Sequence, residues 1–411
     1  MNIAMFTDSY LPRINGVSIS VDSYARELSS MGHQILITCC DYSNEDDILD
    51  LAPKSFLETT DDPNINIFRV SSLSVVLSKE DKLARLSQWK KIKNQLDLFK
   101  PDLIHINSEF SIGLSGLVYG RFKLIPIVFT FHTLWEEYAA NYIKVIPATI
   151  ARKLGRDLVK HYLKRADEII VPTQRIADVV TRYGIERDVD ILPTGIPKSV
   201  YTVDKTRVNE FNNQLQCTFP VIKDKRILLY VGRVAKEKNL EFLISVFENV
   251  QKEIPDTVLL IVGDGPDFNN LQETANNSEY KDKILFTGYC DRNDLSYYYN
   301  LADIFVFPSV TETQGLVTVE AMMSGVPVVA IGRMGTVDVM QGDNGGFMVE
   351  PDLDQFTDKV LLLLKDKELY AKKSEEAINW SKKWSIKYLT PKLVEYYKKG
   401  IANLKKRYIE E

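Results

Sequence analysis

The chain has 411 residues with 45% apolar and 26% charged side chains, a composition typical of a globular protein that excludes a disordered one. It is long enough for two or three domains, and it contains no run of 18 apolar residues that would predict a bilayer-spanning helix. The net charge of −5 argues against a protein that binds nucleic acid.

The first half of the chain alternates short apolar runs with amphipathic segments. Its first run, 3–7, is too short for a secretory signal, so we expect a buried strand and a cytoplasmic protein. A helix over 18–31 is predicted to end at Gly32, a common C-terminal cap. Strands are predicted at 3–7, 34–39, 103–106, 125–131, 168–171 and 190–192. This alternation predicts a parallel, doubly wound α/β sheet.

The second half repeats this pattern after a break at 193–225, where prolines and polar residues accumulate. Strands are predicted at 227–231, 257–262, 284–288, 304–308 and 326–330, and 366–411 is predicted to be helical. Two open parallel sheets would face a cleft at the carboxyl ends of their strands, which is where ligands bind in such folds.

Two loops of the second half carry glycines and cations directly after predicted strands. Arg233 and Lys238 follow the strand at 227–231, and two fixed cations there suit a diphosphate group, although a solvated charged loop would look the same. Gly263 and Gly265 follow the strand at 257–262 and permit a tight turn, with Pro266 suited to the first position of a helix.

Two glutamates lie around a predicted helix start after the strand at 304–308. Gly315 would let a ligand approach the backbone amides of that helix, which form an anion site. Glu312 precedes this glycine and could accept hydrogen bonds from sugar hydroxyls, and Glu320 could reach a ribose. The alternative is that both glutamates are ordinary surface acids.

The cysteines and histidines predict neither a disulfide framework nor a metal site. The adjacent residues Cys39 and Cys40 would point to opposite faces of a strand, and the four histidines lack the paired spacing of zinc ligands. We therefore expect reduced thiols and no requirement for a metal or other cofactor.

Taken in order, five short motifs resemble those of the retaining glycosyltransferases of family 4. They are residues 12–16, 131–133, 232–238, 263–266 and 312–320. The resemblance implies the GT-B fold, with an acceptor- and membrane-facing domain at 1–195 and a nucleotide-sugar-binding domain at 196–385. It also implies a C-terminal helix at 386–411 that packs back toward the first domain.

The resemblance also implies a role for each matching residue. Arg233 and Lys238 match the pair that binds the donor diphosphate, and Glu312 matches an acid near the donor sugar. His132 matches a histidine near the reacting sugar; it could equally be a structural residue at a strand end. The residues assigned to donor binding are Gly16, Glu320, Gly315, Gln314, Leu316, Gly263 and Gly265.

Within family 4, several sequence segments resemble those of the enzymes that glycosylate membrane diacylglycerol. They lie at 7–17, 105–113, 131–138 and 312–315, and the second contains Glu109, which we assign to the acceptor side. The implied reaction is transfer of a hexose, glucose by this resemblance, from a uridine diphosphate sugar to diacylglycerol with retained configuration. The alternatives are a soluble or polysaccharide-linked acceptor, and a non-catalytic protein that binds sugar nucleotides.

A basic stripe independently favours an anionic membrane surface. Arg152, Arg156, Lys160 and Lys164 recur every four residues, with apolar Leu154, Leu158 and Tyr162 roughly opposite and Trp135 upstream. The basic segment 82–100 could join this surface. The alternative for the stripe at 152–164 is an ordinary amphipathic helix that packs on its sheet and exposes its cations to water. We expect a cytoplasmic protein bound peripherally to the inner face of the cell membrane, with no nucleic-acid partner. The sequence does not indicate the oligomeric state.

Overall fold

The computed structural model describes residues 1–13, 15–42, 62–75, 78–132, 147–292, 294–312 and 314–410. The chain divides into two compact units. Met1–Gly195 and Ile386–Glu411 form the first unit, and Ile196–Ser385 forms the second.

The first unit contains a parallel sheet of seven strands in its described part, in the order β3-β2-β1-β6-β7-β8-β9, and an antiparallel pair β4-β5. Positions 35–40 of the second strand are all buried, as expected for a parallel strand covered on both faces. The strands are β1 Asn2–Thr7, β2 Gln34–Cys40, β3 Ile65–Val70, β4 Ser72–Val75, β5 Ser78–Ala84, β6 Leu103–Ile106, β7 Ile127–Thr130, β8 Glu168–Val171 and β9 Asp190–Ile191.

Helices cover both faces of this sheet. The described helices of the unit are α1 Gly16–Ser30, α2 Trp89–Phe99, α3 Ser111–Lys123, α4 Ala148–Leu163, α5 Gln174–Arg182 and, after the second unit, α14 Ile386–Glu410. Buried side chains of α2 to α5 share one apolar core, and those of α1 and α14 share another. The C-terminal helix therefore packs on the first unit, as predicted.

The second unit has a parallel sheet of six strands in its described part, in the order β12-β11-β10-β13-β14-β15. The order reverses between β10 and β13, so the loops after these two strands meet at the switch point of a doubly wound sheet. The strands are β10 Arg226–Val231, β11 Thr257–Val262, β12 Ile284–Gly288, β13 Ile304–Phe307, β14 Val328–Ile331 and β15 Gly346–Val349.

The helices of the second unit alternate with these strands. Among its described residues they are α6 Lys205–Thr218, α7 Leu240–Glu253, α8 Phe268–Asn276, α9 Leu295–Leu301, α10 Leu316–Met323, α11 Gly335–Met340, α12 Leu353–Lys365 and α13 Lys367–Ser381. The α/β architecture predicted from the sequence is confirmed.

Some boundaries and elements were predicted wrongly. Helix α8 starts at Phe268 with Asp267 at its N-cap, so Pro266 lies in the preceding turn. The helical stretch predicted at 366–411 is two helices, because the backbone of Ser385 is extended. Strands β3, β4, β5 and β15 were not predicted; β4 and β5 carry polar residues at positions where a buried strand would be apolar.

Charged side chains attach α14 to the edge of the first sheet. Asp167 is fully buried, and its Oδ1 lies 2.9 Å from Nη2 of Arg407. Asn403 donates to Oε2 of the buried Glu168 at 3.1 Å, and Nζ of Lys399 lies 2.8 Å from Oδ2 of Asp190. Desolvation raises the pKa of Asp167, and its backbone hydrogen bond and Arg407 oppose that rise.

We predict that Arg407→Ala destabilises the first unit by about 1–3 kcal/mol, because it leaves a buried carboxylate without its nearest cation. The loss should shrink at lower pH, where Asp167 can be protonated. Urea unfolding followed by circular dichroism measures it, with Lys405→Ala on the exposed face of the same helix as the control. Equal midpoints for the two variants would contradict this role of the ion pair.

Candidate active site

The loops after β10 and β11 touch through their backbones at the carboxyl edge of the second sheet. Gly263 has a φ of 140°, and a Cβ atom there would lie 2.0 Å from the carbonyl oxygen of Gly232. A Cβ on Gly265 would lie 2.2 Å from the carbonyl oxygen of Val234. Glycine at both positions therefore allows the two loops to pack backbone against backbone, and this packing fixes the path of residues 232–238.

This course places Arg233 and Lys238 at the same edge. Arg233 is exposed, and its Nη2 lies 2.5 Å from Oε1 of Glu237. Its carbonyl oxygen accepts a hydrogen bond from the hydroxyl of the buried Tyr230 at 3.1 Å. Lys238 ends a short 3-10 turn directly before α7. Among the described residues, the guanidinium is held by this exposed ion pair, from which an anionic ligand could draw it.

Lys238 reaches the loop that follows β13. Its Nζ lies 2.8 Å from Oε2 of Glu312, and both side chains are mostly buried, with 16% and 23% exposed. The backbone carbonyl of Glu312 also accepts from the amide of Gly335 at 2.7 Å. Two of the predicted residues, far apart in sequence, are therefore brought together, and Glu312 is fixed at both its side chain and its backbone.

The loop ends at the N-terminus of α10. Gly315 is the N-cap residue with a φ of 63°, and the carbonyl oxygen of Gly335 and Val339 lie 3.3 Å from where its Cβ would be. Because the N-cap residue is a glycine, it has no side chain that could cap the first amides of this helix. Gln314 and Leu316 flank the glycine and are both half-buried, whereas Gly315 itself is buried. The first amides of a helix lack partners within the helix and lie at the positive end of its dipole, so a helix start suits an anion.

Glu320 lies one helical turn further along α10 and is 2% exposed. Its Oε1 is 3.1 Å from Nη2 of Arg292, and its Oε2 accepts from the hydroxyl of Tyr299 at 2.9 Å. Burial and the adjacent carboxylate raise the pKa of Tyr299 well above its usual range, so the phenol stays a donor. The two partners hold the carboxylate in one orientation, while each oxygen keeps a lone pair for a ligand hydroxyl.

Neither Arg292 nor Tyr299 was predicted from the sequence. Arg292 lies just after β12 and Tyr299 on the helix before β13, so both reach Glu320 only through the fold. A buried glutamate requires a hydrogen-bond or charge partner, so a donor near Glu320 could have been expected. The sequence alone does not say which residue provides it.

In the first unit, the loop after β1 is held by the buried carboxylate of Asp8. This side chain accepts from the hydroxyls of Ser108 and Ser111 and from the amides of Phe110 and Ile112, at the start of α3. Desolvation raises its pKa despite these four hydrogen bonds. Asp8 therefore fixes the loop that leads to Gly16.

Gly16 is the first residue of α1. Asn15 caps this helix by accepting from the amide of Ser18 at 2.9 Å. Among the described residues, no atom beyond the chain neighbours of Gly16 and the backbone of its own helix lies within 4 Å of a Cβ built on this glycine. No described side chain therefore fills the space beside Gly16.

His132 lies just beyond β7, next to Asn107, which follows β6. Its Nε2 is 3.2 Å from Oδ1 of Asn107, and burial lowers its pKa to about 4. His132 is therefore neutral near pH 7. Glu109, predicted on the acceptor side, is 3% exposed in the turn before α3.

The predicted basic stripe lies on α4. Arg152, Arg156 and Lys164 are exposed and Lys160 is half-buried, whereas Tyr162 is buried against the sheet. Leu154, which the helical spacing places roughly opposite the cations, is 59% exposed, whereas Ala151, Val159 and Leu163 are buried. Trp135 lies outside the described residues. In the segment 82–100, Lys82 is buried and donates to the carbonyl of Asp41, so it does not join an exposed basic surface.

In the described ranges, no three His, Cys, Asp or Glu side chains lie close enough together to hold a metal ion. The same ranges hold no helix of the length and apolarity that crossing a membrane requires.

Two family models match the chain. The model described as Glycosyltransferase Family 4 matches residues 14–200, and the one described as Glycosyl transferases group 1 matches residues 218–380. Between them they span both units and include most of the residues described above.

Curated relatives and solved structures agree with this match. The chain is 30% identical over 342 residues to an alpha-monoglucosyldiacylglycerol synthase of Streptococcus pneumoniae, covering 81% of this chain and 71% of the relative. It is 30% identical over 338 residues to the enzyme of that name from Acholeplasma laidlawii, covering 80% of each. The structure of Anabaena Alr3699/HepE in complex with UDP-glucose aligns with a TM-score of 0.71 at 16% identity, over 96% of this chain and 98% of that chain.

The resemblance inferred from the five motifs is confirmed by these matches. The chain belongs to glycosyltransferase family 4 and is a glycosyltransferase with the GT-B fold, similar to alpha-monoglucosyldiacylglycerol synthases.

Proposed function

We propose that this glycosyltransferase transfers glucose from UDP-glucose to diacylglycerol, with retention of the anomeric configuration. The observation that carries the proposal is the arrangement at the carboxyl edge of the second sheet. There, Lys238 and Glu312 form an ion pair across two loops, beside the uncapped start of α10. Both curated relatives described above bear the name of a synthase of monoglucosyldiacylglycerol.

The donor fits the charges of the second unit. A diphosphate would interact with Arg233, Lys238 and the amides that follow Gly315, so that charge is compensated by the protein without a metal. Glu320, held by Arg292 and Tyr299, would accept hydrogen bonds from the ribose hydroxyls. The structure of Alr3699/HepE with UDP-glucose provides a precedent for this donor on a similar fold.

Retention follows if the acceptor attacks on the face from which the diphosphate departs. The acceptor oxygen forms the new bond to the anomeric carbon while the bond to the phosphate oxygen breaks, and that oxygen takes the acceptor proton. Arg233 and Lys238 would stabilise the negative charge that develops on the phosphate. Glu312 and Glu320 are engaged by Lys238 and by Arg292 and Tyr299, so we assign them to holding the donor.

A lipid acceptor requires contact with a bilayer, and we assign that contact to the outer side of α2, α3 and α4. Leu114, Val118 and Phe122 recur every four residues along α3, with exposed fractions of 44%, 48% and 74%. Helix α3 is otherwise buried at most positions, so this stripe is its main exposed surface. An apolar stripe of this kind is unusual on a surface that faces only water.

The neighbouring helices extend this apolar surface and add positive charge. Tyr119 of α3 donates to Asp97 of α2, and Arg121 donates to the carbonyl of Arg165, just after α4. Exposed apolar side chains on the two flanks are Trp89, Leu98, Ile150 and Leu154, and exposed cations are Lys90, Lys91, Lys123, Arg152, Lys153, Arg156 and Lys164. Each cation would contribute about 1 kcal/mol near an anionic surface. We therefore propose a peripheral protein on the cytoplasmic face of the membrane.

The direct experiment is transfer from labelled nucleotide sugars to vesicles with and without diacylglycerol. We expect a glucosylated lipid from UDP-glucose, with an α linkage by NMR. Transfer only to a soluble or polysaccharide-linked sugar would favour the alternative acceptor. A β linkage would contradict retention, and binding of UDP-glucose without transfer or hydrolysis would contradict an enzyme.

We predict that Arg233→Ala and Glu320→Ala each lower turnover at least about tenfold, because one removes preorganised charge and the other removes donor positioning. Steady-state kinetics with UDP-glucose measures this. Arg207→Ala, at an exposed position of α6, is the matched control and should retain full turnover. Unchanged kinetics in both site variants would refute the assignment of the donor site.

We predict that replacing Leu114, Val118 and Phe122 by serine weakens binding to vesicles of anionic lipid at least about tenfold, since each apolar side chain would contribute about 1 kcal/mol on insertion. Vesicle co-sedimentation at low and high salt measures it. The control replaces Leu362 and Ile378, exposed apolar residues of the second unit, by serine. Equal losses of binding in the α3 variant and the control variant would argue against a membrane face on α3.

A further inference from the structure

Two polar side chains meet at the carboxyl edge of the first sheet, outside the donor-holding residues of the second unit. Strands β6 and β7 are parallel neighbours, with Ile106 paired to Phe129. Asn107 follows β6 directly, and His132 lies two residues after β7. Asn107 is 4% exposed, so its amide group requires partners within the protein.

The surroundings of Asn107 fix the orientation of its amide. Its Nδ2 lies 3.4 Å from the backbone carbonyl oxygen of His105, which can only accept a hydrogen bond. The other end, Oδ1, lies 3.2 Å from Nε2 of His132. Exchanging the amide nitrogen and oxygen would bring two acceptor oxygens together at His105, so the side-chain oxygen faces His132.

This orientation determines which nitrogen of His132 carries the proton. An amide oxygen has no hydrogen to donate, so Nε2 of His132 must be the donor of the contact. In a neutral imidazole, Nδ1 is then unprotonated and accepts hydrogen bonds. Within the described part of the chain, Nδ1 of His132 has no hydrogen-bond partner.

We propose that Asn107 is a positioning residue that holds His132 as the Nε2-protonated tautomer, so that Nδ1 accepts a hydrogen bond from a hydroxyl of the reacting substrates. The assignment of the hydroxyl to a sugar or to the acceptor lipid rests on the proposed function. The tautomer itself does not, because it follows from contacts within the first unit.

The neighbouring histidine supports a neutral pair at this edge. His105 bonds through Nδ1 to the hydroxyl of Tyr397 at 2.8 Å and through Nε2 to the hydroxyl of Thr130 at 2.7 Å. Burial first, and then His132, lower the pKa of His105 to about 3. His105 therefore stays uncharged near pH 7.

The tautomer can be measured in the free protein by long-range ¹H–¹⁵N NMR of ¹⁵N-histidine-labelled chain. The chain has four histidines, and His132→Gln assigns the signal of His132 by its disappearance. We expect a protonated Nε2 and an unprotonated Nδ1 at pH 7. A proton on Nδ1, or a charged ring at that pH, would overturn the proposal, whatever the transfer assay shows.

Two variants then test the role of Asn107. Asn107→Leu removes the acceptor at similar size, so the Nδ1-protonated form should appear and kcat/KM should fall about tenfold, the effect of one hydrogen bond. Asn107→Asp keeps an acceptor and adds negative charge, so it should keep the tautomer, retain more activity and raise the pKa of His132. The acid limb of its pH–activity profile would therefore move to higher pH.

Each result separates this inference from the proposed function. An unchanged tautomer and unchanged kcat/KM in Asn107→Leu would refute the positioning role, even if the enzyme glucosylates diacylglycerol. A lack of glucosyl transfer by the wild type would refute the proposed function and leave the NMR test of the tautomer intact. If Asn107→Leu does not fold, the wild-type spectrum and Asn107→Asp still decide the proposal.

Discussion

The ion pair between Lys238 and Glu312 is the interaction on which the candidate active site depends. It is 2.8 Å long and mostly buried, and it joins the loops that follow the two strands at the switch point of the second sheet. Its geometry requires the close approach of the backbones at Gly232 and Gly263, where any side chain would clash. Because a buried ion pair is costly unless its geometry is good, the fold has to hold both loops firmly.

The other groups of the second unit are arranged around this pair. Glu320 is held from two sides by Arg292 and Tyr299, and Gly315 forms the N-cap of α10 with a φ of 63°. Acidic side chains are thus oriented by cations and phenols before any ligand binds, and such preorganisation is what a binding or transfer site requires. Polar side chains at strand ends of the first unit act in a similar way. Asp8 holds the loop after β1, and Asn107 contacts His132.

Sequence patterns were sufficient for the α/β class and for most buried strands, because parallel strands covered on both faces are continuous apolar runs. Lys238 was predicted in a loop after a strand, and Glu312 and Glu320 were predicted around a helix start, but the contacts of these residues were not predicted. Arg292 and Tyr299 come from separate elements, and only the folded sheet brings them to Glu320. Strands β4 and β5 were missed since they are polar, and the exposure of Leu154 depends on which side of α4 meets the sheet.

The proposed donor site can be tested most directly by a crystal structure of the chain with bound UDP. We expect the diphosphate to lie against Arg233, Lys238 and the amides after Gly315, with the ribose hydroxyls bonded to Glu320. We also expect the side chain of Arg233 to move away from Glu237. A nucleotide bound elsewhere, or a diphosphate that contacts neither cation, would rule out this donor site.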